Sequence, residues 1–135
     1  MGIHLEWRYS LLTAALLAAI YGMSSVPDLG TTQSDPLLLL AQNVAHAPVF
    51  AVLTFCWLRA LSGGLEISGQ ASAVAGVASG VCGVLDEWHQ SSVPGRHASG
   101  VDLLLDLAGI AAMLAIVCVM RLRTDAARRS QPRTS

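Results

Sequence analysis

The sequence contains no lysine and little charge of either sign. Only 13 % of its 135 residues are Asp, Glu, Lys or Arg, against roughly 25 % in an average soluble domain, so a fully solvated surface would be short of charge. The basic residues are all arginines: Arg8, Arg59, Arg96, Arg121, Arg123, Arg128, Arg129 and Arg133. The formal net charge of −1 excludes the basic footprint of a nucleic-acid-binding surface. Cysteine is sparse. Cys56, Cys82 and Cys118 stand singly inside apolar runs, without CxxC or metal-like spacing and without the neighbouring cation that a reactive thiolate needs. HExxH and DxDxG patterns are missing as well.

What the chain has is apolar length, with 53 % hydrophobic residues in a size that makes one domain. Four runs, about 7–26, 44–61, 71–88 and 101–120, approach the ~20 helical residues that cross a hydrocarbon core of ~30 Å. TAALLAAI and AGIAAMLAIVCVM are continuous and rich in Ala and Leu, unlike the alternating strands of a membrane barrel. The expectation is all-α: an integral membrane protein folded as an antiparallel four-transmembrane-helix bundle, in a single domain over 1–135. Arg8 before the first run and Ser24 and Ser25 after it resemble a cleavable signal. The run's length, with Tyr9, Tyr21 and Met23, suits a retained span better.

Arginine placement sets the orientation. With both termini cytoplasmic, Arg8, Arg59 and the five tail arginines fall inside and only Arg96 outside. Trp7 and Trp57 then lie at the inner interface and Trp88 at the outer one, while the tail 121–135 forms a solvated basic end near anionic lipid. In the longest connection, Ser34 or Asp35 can cap a helix with Pro36 in its first turn, so the second helix is expected to begin around Leu37.

The third helix is the expected centre of the bundle. Ser72, Gly76, Ser79, Gly80 and Gly83 recur at spacings of three and four, which lets backbones approach in lipid; the same face would serve a homodimer. Val77, Val81, Val84 and Leu85 lie opposite. The helical phase then turns Asp86, Glu87 and Gln90 inward and Trp88 outward. Gly109 on the fourth helix is expected to let the third pack close.

The uncommon residues converge at the extracytoplasmic end. Asn43 and His46 open the second span, Asp86, Glu87, His89 and Gln90 close the third, Arg96 lies in the outer loop, and Asp102 and Asp106 open the fourth on one helix face. His89 reads as an interface residue, and His97 and Ser99 as loop residues. Ionisable groups within a membrane are costly and mark functional sites by default. Four carboxylates facing one arginine need compensation: a shared proton, giving a general acid or proton carrier, or a bound cation. Oxygen-rich ligation by Asp102, Asp106 and Glu87, with one imidazole, suits Mg or Mn better than a structural zinc site, though no metal motif indicates it.

NxxHxPxF at Asn43 to Phe50, SSVP at Ser24 to Pro27, and DEWHQSSVPGRHASGVDLLLDLAG from Asp86 to Gly109 resemble the VanZ-like membrane proteins. His46, Asp86, Glu87, Gln90, Pro94, Arg96, Asp102 and Gly109 match that family's pattern. Asn43 stands where the family usually has Asp, Phe50 where it often has Tyr, and Asp106 where it usually has Asn, so one carboxylate has moved from the second helix to the fourth. The resemblance implies a multi-pass protein of the bacterial cytoplasmic membrane and cell envelope, in a family whose founding member is associated with low-level resistance to teicoplanin.

Three functions are open at this point. As an enzyme acting on a lipid or cell-wall headgroup, the protein would use Arg96 to grip an anionic oxygen and Glu87 or Asp86 as acid or base. His46 would transfer protons, with Gln90, Asn43, Asp102 and Asp106 binding or orienting. As a non-enzymatic protein, the same groups would be an interhelical network. A proton- or cation-coupled carrier comes last, because AAMLAIVCVM offers no polar path to the cytoplasm.

Overall fold

The structure, a computed structural model, describes residues 5–27, 36–62 and 67–130. Within them lie four α-helices and no strand: α1 (Trp7–Ser24), α2 (Pro36–Ser62), α3 (Gly69–Gln90) and α4 (Gly100–Ser130). The proposed capping residues Ser34 and Asp35 lie outside the described residues.

Local chemistry sets most of the visible boundaries. Pro36 takes the first position of α2, where its missing N–H costs nothing. Ser68 caps α3, its Oγ accepting from the Ala71 N–H at 3.0 Å. Between α3 and α4 the chain turns at Gly95, whose φ of 78° favours a residue without a side chain. Ser99 then starts α4 by accepting from the Asp102 N–H at 3.2 Å. The helix α4 runs ten residues past the expected end at 120, through RLRTDAARRS. Arg, Ala and Leu are good helix formers, and the first breaker after them is Pro132. At 31 residues α4 is about 46 Å long, more than a hydrocarbon core requires. Two helical stretches, Val44–Ser62 of α2 and Gly100–Ser130, are long and apolar enough to cross a membrane.

The centre of the bundle is α2, not α3 as the small-residue stripe suggested. It packs on all three other helices and most extensively on α4, whereas α1 and α4 do not meet. The stripe on α3 is only partly used: a methyl at Gly76 would meet Leu114 and one at Gly83 would meet Asp106, but Gly80 faces open space. The closest approach involves Gly109, and its partner is α2. A Cβ there would lie 2.8 Å from the Ala47 carbonyl carbon and 3.0 Å from the Ala47 Cα. Ala47 also precedes Pro48, which has no N–H to close the helical turn onto the Val44 carbonyl.

Two apolar clusters hold the helices. Phe50, Leu53 and Ile110 join α2 to α4, with Leu16, Leu17 and Ile20 of α1 against them. Leu58, Leu61, Ala71, Ala75 and Val117 form the second, towards the arginine-bearing end. Thr54 bridges from α2 to α3 by donating to Ser79 Oγ at 3.1 Å. At the arginine end the Glu6 N–H donates to the Ala60 carbonyl at 2.8 Å, and the Arg59 guanidinium lies over the Tyr9 ring, 5.1 Å from its centroid.

Several polar groups are buried in the bundle, and many large apolar side chains are exposed on it. Asp106, Thr54 and Ser79 are fully buried, while Leu11, Phe55, Leu104 and Ile116 are exposed. The valine face of α3 points outward as its spacing predicts, with Val77, Val81, Val84 and Leu85 exposed and Trp88 at 73 %.

Candidate functional site

Gly109 builds the site by bringing two backbones together. Because α4 approaches α2 so closely at Ala47, the adjacent His46 reaches Asp106, one turn before Gly109 on α4. Their Nδ1 and Oδ1 atoms are 2.9 Å apart, and the Asp106 side chain is 0 % exposed. An ionised carboxylate only accepts, so the imidazole donates through Nδ1–H and keeps the Nε2 lone pair free. That Nε2 lies 4.0 Å from Asp102 Oδ2. Gly83 on α3 makes room for the other Asp106 oxygen, since a Cβ at position 83 would stand 3.2 Å from Oδ2.

Glu87 enters from α3 and is 7 % exposed. Its Oε2 accepts the Ser99 N–H at 2.5 Å, while the Ser99 hydroxyl caps α4 at Asp102. Ser99 is thus part of the site, not a bystander in the loop: it fixes the end of α3 to the start of α4. Three buried carboxylate oxygens accept no hydrogen bond among the described residues: Glu87 Oε1, Asp102 Oδ1 and Asp106 Oδ2. Leaving such an atom without a donor costs about 1–3 kcal/mol or more, so three in one region is an unusual concentration.

Asp86 belongs to a separate network. Its Oδ1 accepts from Ser24 of α1 at 2.5 Å, and its Oδ2 accepts from Gln90 at 2.8 Å. Next to it, Ser25 Oγ and the Nε2 of His89, three residues after Asp86, are 2.9 Å apart, and the Tyr21 ring stacks on His89 with centroids 4.4 Å apart. His89 therefore ties α3 to α1. Ser24 and Ser25 carry this seam; in the sequence they stand out as the start of the SSVP motif and as the small residues that follow the first apolar run.

Arg96 is not the counter-ion of the carboxylates. It is half-buried and forms no ion pair among the described residues; the group that meets Asp106 inside the cluster is the His46 imidazole. Arg96 instead lines a cavity of about 150 Å³ together with polar Ser24, His46, Asp86 and Gln90 and apolar Ile20, Met23, Val49 and Phe50. His97 is exposed and touches none of this. Asn43 lies one turn before His46 on α2, with its side chain outside the described residues.

A second cavity, of about 540 Å³, opens as a groove between α1 and α3. Leu17, Tyr21, Cys82, Leu85 and Trp88 line it, and it shares Ile20 and Asp86 with the smaller one. Compared with family models, with curated proteins and with solved structures, the chain matches none.

Proposed function

We propose that this chain is a multi-pass protein of the bacterial cytoplasmic membrane, crossing it four times with both termini in the cytoplasm. Its extracytoplasmic pocket binds the phosphate-bearing headgroup of a lipid. The outward apolar side chains of the bundle support the membrane location: exposed Val77, Val81 and Leu104 are a surface that lipid solvates and water penalises. Arginine placement supports the orientation, with Arg8, Arg59 and Arg121 at one end and only Arg96 at the other. The motif likeness to VanZ-like proteins points the same way.

The observation that carries the ligand class is a pair of adjacent cavities that share Ile20 and Asp86 as lining residues. The smaller holds about five waters' volume, enough for a phosphate, and offers the Arg96 guanidinium and the Gln90 amide as donors. The larger is apolar and opens on the outer face of the helices, where an acyl or prenyl chain would lie. Headgroup and chain of one amphiphile fit the two together. Chemistry on the bound headgroup would use His46, which lines the smaller cavity, as the group that moves a proton. For Asp86 a structural role is favoured, because both its oxygens already have donors. A carrier reading gains no support. Inward of the site lie the Thr54–Ser79 pair and then packed Leu58, Leu61, Ala71, Ala75 and Val117.

Native mass spectrometry of the detergent-purified protein tests this with three probes: phosphatidylglycerol, a polyprenyl phosphate and diacylglycerol. The two phosphate-bearing lipids distinguish the source of the headgroup, and diacylglycerol lacks the phosphate. Retention of either phosphate lipid, reduced about ten-fold or more by Arg96→Gln, is expected from the loss of a charged hydrogen bond. Equal retention of diacylglycerol, or an unaffected Arg96→Gln variant, would overturn the reading.

A further inference from the structure

We propose that His46, Glu87 and Asp106, with Asp102 beside them, form a binding site for one hard divalent cation, Mn²⁺ or Mg²⁺. The residues come from three different helices, yet one donor atom from each of His46, Glu87 and Asp106 falls within 4.8 Å of the others. Ligands on opposite sides of a cation with 2.0–2.4 Å bonds stand about 4.0–4.8 Å apart, and neighbouring ligands about 3 Å. The cluster already has the span of a coordination shell.

A group of acidic residues alone would not identify a ligand. The independent observation is that buried oxygens are left without donors. Glu87 is 7 % exposed and Asp106 is 0 %, and each turns one oxygen, Oε1 and Oδ2, away from every donor among the described residues. Asp102 Oδ1 does the same. The opposite oxygen of Glu87 is held by the Ser99 N–H, and that of Asp106 by the His46 ring. Each carboxylate is therefore anchored by one oxygen and offers the other, as a metal ligand does when a hydrogen bond orients it from behind.

His46 fits the same scheme. Its Nδ1–H is spent on Asp106 Oδ1, which leaves Nε2 as the donor atom facing Asp102 Oδ2 at 4.0 Å. A carboxylate fixing the tautomer of a ligating imidazole is the recurrent arrangement in metal sites. Glu87, Asp102 and Asp106 with one imidazole make an excess of negative charge that no arginine offsets, since Arg96 forms no ion pair among the described residues. A divalent cation supplies the missing charge. Three carboxylates and one imidazole form an oxygen-rich donor set, suited to Mn²⁺ or Mg²⁺ ahead of the thiolate- and imidazole-rich sites of structural zinc. His46 also lines the small cavity, so the ion would sit at its wall beside a bound phosphate. That last point rests on the headgroup reading; the cation site does not.

The test is a Mn²⁺ titration of the full-length, chelator-stripped protein in detergent, followed by electron paramagnetic resonance, with thermal unfolding measured on the same samples. One Mn²⁺ per chain and a saturable rise in unfolding temperature are expected. Glu87→Gln keeps an oxygen for the Ser99 N–H, so it should unfold at no lower temperature than the stripped wild type while binding Mn²⁺ at least about ten-fold more weakly. Asp102→Asn should weaken binding likewise and serves if Glu87→Gln does not fold. No saturable binding up to millimolar Mn²⁺, or wild-type binding in a folded variant, would overturn the proposal. Lipid retention measured in chelator separates the two readings. Retention without Mn²⁺ binding removes the cation alone, and Mn²⁺ binding without retention removes the headgroup alone.

Discussion

Replacing Gly109 with alanine should damage both the fold and the site, because one backbone contact serves both. The added Cβ would stand 2.8 Å from the Ala47 carbonyl carbon and 3.0 Å from its Cα, whereas ordinary contacts lie at 3.4–4 Å. The obstacle is backbone on a central helix, so no side chain can swing aside and α2 and α4 must separate by on the order of 1 Å. The His46–Asp106 bond, 2.9 Å long and one turn away, would stretch past hydrogen-bonding range. Overpacking contributes about 1–3 kcal/mol, and losing a buried hydrogen bond to a charged group about 1.5–3 kcal/mol, for a total of about 2.5–6 kcal/mol. Equilibrium unfolding in mixed micelles of increasing sodium dodecyl sulfate content measures this directly. Gly22→Ala is the control, since a methyl there meets nothing within 4 Å and should be neutral or stabilising by up to about 1 kcal/mol. A Gly109→Ala protein within about 0.5 kcal/mol of wild type would refute the argument that this glycine positions the site.

Ser24→Ala removes the donor to Asp86 Oδ1 and leaves a buried oxygen bare; a loss of about 1–3 kcal/mol is expected in the same unfolding assay, with no change in Mn²⁺ binding. Gly83→Ala places a methyl 3.2 Å from Asp106 Oδ2, so it should weaken Mn²⁺ binding in the paramagnetic titration, whereas Gly80→Ala, facing open space, should not. An equal effect of both glycine substitutions would show that Asp106 Oδ2 is not a ligand.

Much of the architecture was legible because apolar length and helical phase are written locally. The four helices, the outward valine face of α3 and the inward turn of Asp86, Glu87 and Gln90 follow from spacing within single segments. Which helix occupies the centre was not legible. That depends on Gly109 meeting the Ala47 carbonyl, a contact between residues far apart in sequence, and a stripe of small residues on α3 gave a stronger local signal. Charge counting brought Arg96 to the carboxylates by sign alone, but geometry gives that place to His46. Ser99 was missed because its part in holding Glu87 is played by a main-chain N–H, which every non-proline residue carries and no residue type announces. The basic segment after residue 120 reads as solvated, and Arg121, Arg123, Arg128 and Arg129 are exposed; solvation and helix are compatible, so charge gave no boundary.

Both proposed ligands require the polar cluster to lie at the extracytoplasmic end of helices that cross the membrane. In a chain with Cys56, Cys82 and Cys118 replaced by alanine, single cysteines at Ser92 and Ser130 report the two ends, both being exposed positions. A membrane-impermeant maleimide applied to intact bacterial cells should modify Ser92→Cys at once and Ser130→Cys only after permeabilisation. Modification of Ser130→Cys alone in intact cells, or recovery of the protein in the soluble fraction, would contradict this placement.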